Sequence, residues 1–216
     1  MAGGFRSFAL SDLRPSQRYD LLSGLVVPRP IAFVSTVSAE GLPNLAPFSY
    51  FMVGGINPPS LMFCPVLDLE GRPKGTLRNV EATGEFVVNL VDRRMAEGMN
   101  LSSFPYSEEE SEWGVSGFTP LESERVRPPR VAESPVQFEC RFYQALRHGE
   151  GPSASVYVVG EVLVAHVSDA LVSEAAELVK RFGPLARLGG KGYLDLELGE
   201  AFEMARPNRP AGSSLD

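Results

Sequence analysis

Cysteine and histidine are scarce in this sequence of 216 residues, which contains two of each. Cys64 lies in LMFCPV and Cys140 in FECRF, and neither belongs to a CxxC pair. A disulfide framework or a zinc cluster needs more such residues, so we expect two buried, reduced thiols. His148 and His166 show none of the HxH, HxxxH or HExxH spacings, which argues against a metal site. We expect His166, which alternates with apolar residues, to be a strand residue with a satisfied hydrogen bond.

Long apolar runs are also lacking. None approaches the roughly 20 residues that cross a bilayer, and the opening MAGGFRSFALSDL has no apolar core of a signal peptide. We therefore expect a cytoplasmic protein without a membrane partner. The formal net charge of -7 argues against a nucleic-acid surface, because such a surface needs clustered Lys and Arg. An anionic ligand would need a local positive site, and lysines occur only at Lys74, Lys180 and Lys191.

Motifs of side-chain catalysis are equally scarce. The sequence has no GxSxG elbow, no Walker A pattern and no GxGxxG. The glycine cluster RLGGKG at 187–192 is typical of a turn, and the acidic run SEEESE at 107–112 is typical of a solvated face. We predict no catalytic side chain, and the sequence favours a protein that leaves its chemistry to a bound cofactor.

What the chain does have is a series of β-branched and aromatic runs separated by turns. Three antiparallel strands are predicted between residues 28 and 66, because AEGLP and GGINPP punctuate the runs there. A further strand is predicted in EFVVNLV, and two long ones at about 134–147 and 155–168. Many strands with only short helices favour a closed or partly closed β-barrel.

The remaining segments are predicted as short helices or excursions. Helices are expected in SDLRPSQRYDLLSGLV, where Pro15 interrupts the pattern, in DRRMAEGMNLSS, and in SDALVSEAAELVK. The acidic, proline-broken region 105–130 is expected to be an excursion outside the core. We expect one domain over residues 1–204 and a mobile tail over residues 205–216, ARPNRPAGSSLD, which is poor in apolar residues.

The stretch PNLAPFSYFM, residues 43–52, suits a strand except that Pro47 removes a backbone donor from it. We predict a barrel strand that is interrupted at Pro47. Two explanations stay open: an ordinary bulge at a barrel corner, or backbone groups freed to face a flat ligand.

The segment RPKGTLRNV is the best candidate for an anion site. A short helix is predicted at about 76–83, with Thr76 as its N-cap and Gly84 as its C-terminal glycine. The first-turn N–H groups and the helix dipole favour a negative ligand, and Lys74 and the Thr76 hydroxyl can add a charge and a donor. The alternative is an ordinary capped surface helix with a solvated lysine.

Seven motifs taken in order resemble the flavin reductase-like family, the FMN-binding split barrels that include flavoredoxins and the reductase components of two-component monooxygenases. They are VVPRPIAFVSTVSAEGLPNLAPFSYF, NPPSLMF, KGTLRN, TGEFVVNLV, MNLSS, PPRVAESPVQFEC and ARLGGKGY. The similarity runs from about Arg14 to Ala205. It implies a mainly β fold, a six-stranded antiparallel split barrel with Greek-key character and short flanking helices, working as a homodimer with FMN near the subunit interface.

The resemblance also implies the site residues. The NLAPFSYF segment would line the isoalloxazine, Lys-x-Thr would contact the phosphate, and MNLSS would add flavin contacts, while the RLGG loop would border the substrate. The implied cofactor-binding residues are Asn44, Ala46, Pro47, Ser49, Phe51, Lys74, Thr76, Asn100 and Ser103. The implied substrate-side residues are Arg187 and Tyr193.

This chain departs from the family pattern at three places. Gly75 stands where the family often has Asp, and Met52 where it often has Asn. The sequence GEV at 160–162 replaces the GDH triplet of many dedicated NAD(P)H:flavin reductases. The last departure weakens the expectation of fast pyridine-nucleotide oxidation.

Three functions remain open from the sequence. The first is an NAD(P)H-dependent flavin reductase, in which FMN passes electrons to free flavin, a partner monooxygenase or another acceptor. The second is a flavoredoxin-like carrier of electrons without its own NAD(P)H site. The third is a non-catalytic module that binds flavin or a tetrapyrrole.

Overall fold

The computed structural model describes residues 3–104, 106, 111–172 and 182–199. The predicted tail at 205–216 and most of the helix predicted in SDALVSEAAELVK lie outside these residues. Within the part of the chain that the model describes, no helix is both long and apolar enough to cross a membrane.

Four α-helices and twelve strands are found in the described ranges. The helices are α1 (Pro15–Leu25), α2 (Gly75–Thr83), α3 (Ala96–Leu101) and α4 (Glu112–Ser116). The strands are β1 (Arg29–Pro30), β2 (Ala32–Val37), β3 (Pro43–Phe48), β4 (Phe51–Ile56), β5 (Pro59–Phe63), β6 (Glu85–Asn89), β7 (Pro120–Leu121), β8 (Arg130–Val131), β9 (Val136–His148), β10 (Ser155–Val167), β11 (Leu185–Arg187) and β12 (Tyr193–Asp195). Short 3-10 turns cover Leu10–Asp12, Arg93–Met95, Asp169–Leu171 and Leu196–Leu198.

The main sheet is antiparallel and has the order β3-β2-β6-β9-β10-β5-β4. Its two edge strands, β3 and β4, follow each other in the chain with only Ser49 and Tyr50 between them. The sheet must therefore curl until its edges approach, which makes a barrel open along one seam. The Phe48 ring, at the end of β3, lies 5.1 Å from the Phe63 ring of β5 and packs across this seam. The predicted fold class is confirmed, and the main sheet has seven strands in the described residues where the resemblance implies six.

The prediction that the stretch 43–52 breaks at Pro47 was wrong. Pro47 lies within β3 and is paired with Phe33 of β2, whereas the break falls at Ser49 and Tyr50. The reason is the position of β3 at the sheet edge, where a proline nitrogen can face away from the neighbouring strand. The stretch is thus two strands on the two sides of the seam.

The barrel interior is filled by apolar side chains of the main sheet and of α2. Leu77 and Val80 of α2 are fully buried, and the rings of Phe63 and Phe86 lie 5.4 Å apart in an edge-to-face arrangement. The helix ends at Gly84, whose φ of 74° is the left-handed conformation that was predicted for it. Burial of one face of α2 in the barrel fixes where its first turn lies.

Other sequence predictions were confirmed, and two need correction. Both cysteines are buried and free, and Nε2 of His166 lies 2.7 Å from Oε1 of Glu139. Pro15 is the first residue of α1 and does not interrupt it, because proline suits the first position of a helix. The region 105–130 is not wholly outside the core, since Trp113 is buried against a second apolar cluster with Phe33 and Met99.

A buried carboxylate anchors this excursion to the barrel. Glu139 of β9 is fully buried and accepts hydrogen bonds from the N–H groups of Glu124 at 2.8 Å and Arg125 at 2.6 Å, besides its contact with His166. Burial raises the pKa of Glu139, but the bonds from Glu124, His166 and Arg125 outweigh it and hold the pKa below the ordinary 4.5.

These hydrogen bonds should make stability depend on acid pH. Because the pKa is lower in the folded state, their contribution is present above pH 4.5, the ordinary value, and is lost as pH falls through the folded value. We expect Glu139→Gln to lower the melting temperature at pH 7 and to flatten its acid dependence, measured by thermal unfolding from pH 3 to 7. Glu97→Gln, an exposed change on α3, is the control. Equal acid slopes for Glu139→Gln and wild type would contradict this assignment.

Candidate functional site

A groove of about 940 Å³ lies beside β3 and the first turn of α2. Its other walls are the turn at 38–42, the segment 66–72 and parts of the segment 102–112. This volume is in the range of pockets that hold small organic ligands. The groove therefore joins the stretch 43–52 and the segment RPKGTLRNV, which the sequence analysis treated separately.

The first turn of α2 forms one wall, and here the prediction of Thr76 as N-cap was wrong. Lys74 is the N-cap: its backbone is extended at φ -71° and ψ 163°, and its carbonyl accepts from the Arg78 N–H at 3.1 Å. The helix therefore starts at Gly75, one residue before the predicted start at about residue 76. The first N–H groups of an α-helix have no partner inside the helix, and the side chain of Lys74 makes no capping bond to those of α2. Together with the helix dipole and the exposed Lys74, they make a wall suited to an anion.

A hydrogen-bonded chain connects this turn to β3 and α4. Oε2 of Glu112 accepts from the Leu45 N–H at 3.2 Å. When Nδ2 of Asn44 lies 3.0 Å from Oγ1 of Thr76, the amide turns its oxygen to acceptors and its nitrogen to donors, so the reversed orientation is the one that satisfies both ends. With the Asn44 amide reversed, Nδ2 donates to Oε1 of Glu112 at 3.3 Å. Its oxygen then accepts from Thr76 Oγ1 and from the Leu45 N–H, each at 3.0 Å. The close approach of Asn44 depends on Gly75, since a Cβ there would lie 2.9 Å from Oδ1 of Asn44.

Glu112 is a site residue that the sequence analysis missed, because it ends the acidic run that was predicted to be a solvated face. Instead it is half-buried and lines the groove. Burial raises the pKa of its carboxyl above the ordinary 4.5, although hydrogen bonds from its own N–H and that of Leu45 oppose this effect. The adjacent Trp113, which is buried, is the signal that could have placed Glu112 against the fold.

Six of the nine predicted cofactor-binding residues line the groove. They are Asn44, Ala46, Pro47, Lys74, Thr76 and Ser103. The other three do not: Phe51 packs against the barrel core, Ser49 lies in the connection at the seam, and Asn100 is exposed on α3. The hydroxyl of Ser103 donates to the Asn100 carbonyl at 2.6 Å, so these two residues are linked.

The predicted substrate-side residues lie together but apart from the groove lining. Arg187 of β11 stacks over the Tyr193 ring of β12 with its guanidinium carbon 4.5 Å from the ring centre. It also donates to the carbonyls of Gly192 at 2.8 Å and Gly190 at 2.7 Å. These contacts fix the RLGG loop.

Comparison with known proteins identifies the family. Residues 23–186 match the model of the flavin reductase like domain. The chain belongs to the flavin reductase-like family. The resemblance described from the sequence motifs is thereby confirmed.

Three solved structures are similar to this flavin reductase-like chain. Nitrilotriacetate monooxygenase component B from Bacillus cereus has a TM-score of 0.88 and 33% identity, over 94% of this chain and 100% of that one. The 2-nitrobenzoate 2-nitroreductase NbaA from Pseudomonas fluorescens has a TM-score of 0.83 and 31% identity, over 96% of this chain and 100% of that one. A split barrel domain from Shewanella frigidimarina has a TM-score of 0.74 and 22% identity, over 93% of this chain and 96% of that one. At this identity the likeness supports the fold alone.

Proposed function

We propose that this chain is an FMN-binding oxidoreductase that takes hydride from NADH or NADPH. Its electrons would pass through flavin N5 to free flavin, a partner oxygenase or another acceptor. The observation that carries the proposal is the first turn of α2, where uncapped N–H groups and Lys74 face the same groove as Asn44 and Pro47. Membership of the flavin reductase-like family supports flavin as the occupant.

In this proposal the protein residues bind and orient the ligand. Lys74 and the first N–H groups of α2 hold the phosphate, and the Thr76 hydroxyl adds a donor to it. Asn44, Ala46 and Pro47 of β3 form the wall for the isoalloxazine ring. When bound, FMN supplies the hydride and electron chemistry, so no side chain acts as a general acid or base.

A homodimer is part of the proposal and is supported by an exposed apolar edge. The β4 strand exposes Met52, Val53 and Ile56, the last with 88% of its surface accessible. Apolar side chains grouped in this way mark interaction surfaces. Because β4 borders the seam, a partner there would lie close to Ser49 and Phe51, two proposed flavin contacts outside the groove lining.

Two observations bear on the electron acceptor and donor. The Bacillus cereus structure is a monooxygenase component, and NbaA is a nitroreductase, so we propose an oxygenase or a nitroaromatic compound as acceptor classes to test. The GEV sequence at 160–162 favours, as a second candidate function, a carrier that receives electrons from another protein.

The test is an anaerobic reduction of the FMN-loaded protein. On addition of NADH or NADPH, we expect the oxidised flavin absorbance to bleach within seconds. Bleaching with dithionite but with neither nucleotide would favour the carrier, and failure to take up flavin would overturn both functions. Free FMN without protein is the control for direct reduction by the nucleotide.

A further inference from the structure

A pair of aromatic side chains stands at the opening of the groove. Phe104 and Tyr106 both line the groove, and their rings lie 5.1 Å apart in an edge-to-face arrangement. The Tyr106 hydroxyl donates to the carbonyl of Leu101 at 3.2 Å, which ties its ring to the end of α3. Tyr106 therefore supports the ring of Phe104, which is itself 63% exposed.

The segment that carries this pair is joined to the end of β3 that meets the first turn of α2. Oγ of Ser111 donates to the Pro43 carbonyl at 3.3 Å, and α3, which ends three residues before Phe104, contacts β3. The next residue of β3, Asn44, has its side-chain amide 3.0 Å from Oγ1 of Thr76. The aromatic pair therefore belongs to the phosphate end of the groove, where a ligand longer than FMN would continue past its phosphate.

Other exposed apolar side chains continue the rim of this opening. Leu42 is 58% exposed and Leu69 is 81% exposed, and both line the groove. They belong to the turn at 38–42 and the segment 66–72, so apolar groups from three parts of the chain meet there. Exposed apolar groups that gather at a groove mark a binding site. The groove volume of about 940 Å³ is near the upper end for small-ligand pockets, which leaves room for more than a mononucleotide.

We infer that Phe104 and Tyr106 form a base-stacking subsite for the adenine of FAD, so that the groove takes this dinucleotide as well as FMN. The inference rests on the proposed function, because in FAD the adenylate is attached to the flavin through the phosphate assigned to α2. Adenine has a flat π face, which stacks on exposed aromatic rings. The open face of Phe104 receives the base, and Tyr106 fixes the ring from the side.

The charges of the lining do not by themselves separate FAD from FMN. Arg72 is paired with Asp68 and Glu70, each at 3.0 Å, and such exposed pairs contribute little to stability. The FMN phosphate carries a charge of about -1.5 to -2 at pH 7, and the two linked phosphates of FAD carry about -1 each. Both ligands thus bring a similar charge to Lys74 and α2, so the contact with the base is what distinguishes them.

The experiment measures FMN and FAD affinities of wild type and Phe104→Ala by fluorescence titration. We expect Phe104→Ala to weaken FAD binding roughly fivefold to hundredfold, which is the order contributed by stacking one base on an aromatic ring. FMN affinity should be unchanged, because FMN has no group that reaches the subsite. Phe104 is largely exposed, so the variant should melt close to wild type, which thermal unfolding checks.

Three further variants make the outcome specific to stacking. Phe104→Tyr keeps an aromatic face and should retain FAD affinity. Phe104→Leu keeps an apolar side chain without a ring and should lose FAD affinity as Phe104→Ala does. Tyr143→Ala removes an aromatic side chain of β9 that is exposed outside the groove lining, and it should follow wild type.

Two failures can be told apart. FMN binding without FAD binding, or equal effects of Phe104→Ala on both flavins, would overturn this inference alone. A raised KM for NADH in Phe104→Ala with unchanged FAD affinity would also overturn it, because the pair would then serve the nicotinamide nucleotide. Absence of both FMN and FAD binding in wild type would overturn the proposed function and this inference together.

Discussion

Lys74→Ala should weaken FMN binding roughly tenfold to hundredfold while leaving riboflavin binding nearly unchanged. Lys74 stands at the start of α2 beside the groove, and its side chain caps no N–H group, so its removal should leave the helix start intact. A charge-assisted contact to a phosphate contributes about 1.5–3 kcal/mol, which corresponds to the stated loss of affinity. The measurement is a flavin titration followed by fluorescence, with FMN and riboflavin compared at one salt concentration.

The control for this prediction is Arg93→Ala, which removes an exposed positive charge away from the groove. It should leave both affinities close to wild type. An equal loss of FMN and riboflavin affinity in Lys74→Ala would show that Lys74 does not contact the phosphate, and the anion assignment at α2 would fail.

Gly160→Ala should destabilise the barrel by about 1–3 kcal/mol. Gly160 lies in β10, and a Cβ built on it would be 2.2 Å from Cζ and 2.6 Å from Cε1 of the Phe86 ring. That ring is fully buried and packs edge to face on Phe63, so it has little room to move. The first residue of the GEV sequence is therefore explained by packing of an aromatic ring against the sheet.

The cost of Gly160→Ala should fall by about 1 kcal/mol or more when Phe86→Leu is already present, because the smaller side chain leaves space for the new methyl group. Urea unfolding of the four variants measures this coupling. Gly24→Ala is the control, since a Cβ there meets no atom within 4 Å. Strictly additive costs would show that the Phe86 ring is not what Gly160 accommodates.

Local signals explain what could be predicted from the sequence. The left-handed residue that ends α2 requires glycine, and Gly84 was identified for that reason. The many β-branched and aromatic runs, with only short helices between them, indicated a barrel before any topology was known. The start of α2, on which the proposed anion site depends, was located approximately because a lysine before a short helix is a local pattern, although the N-cap was placed two residues too late.

Long-range pairing explains what could not be predicted. Whether Pro47 ends a strand depends on β3 being at a sheet edge, which no local pattern reveals. In the sequence, Glu112 belongs to an acidic run that predicts a solvated face. Only the packing of α4 on β3 brings its carboxyl to the Leu45 N–H. The same applies to Ser49 and Asn100, which the sequence motifs place beside the flavin and the fold places outside the groove lining.

The central claim is that FMN occupies this groove with its phosphate on the first turn of α2. A crystal structure of the FMN complex tests it most directly. The account predicts phosphate oxygens about 3 Å from the first N–H groups of α2 and from the ammonium of Lys74, with the isoalloxazine against Asn44, Ala46 and Pro47. A flavin bound elsewhere, or one with its phosphate away from Lys74 and Thr76, would contradict it.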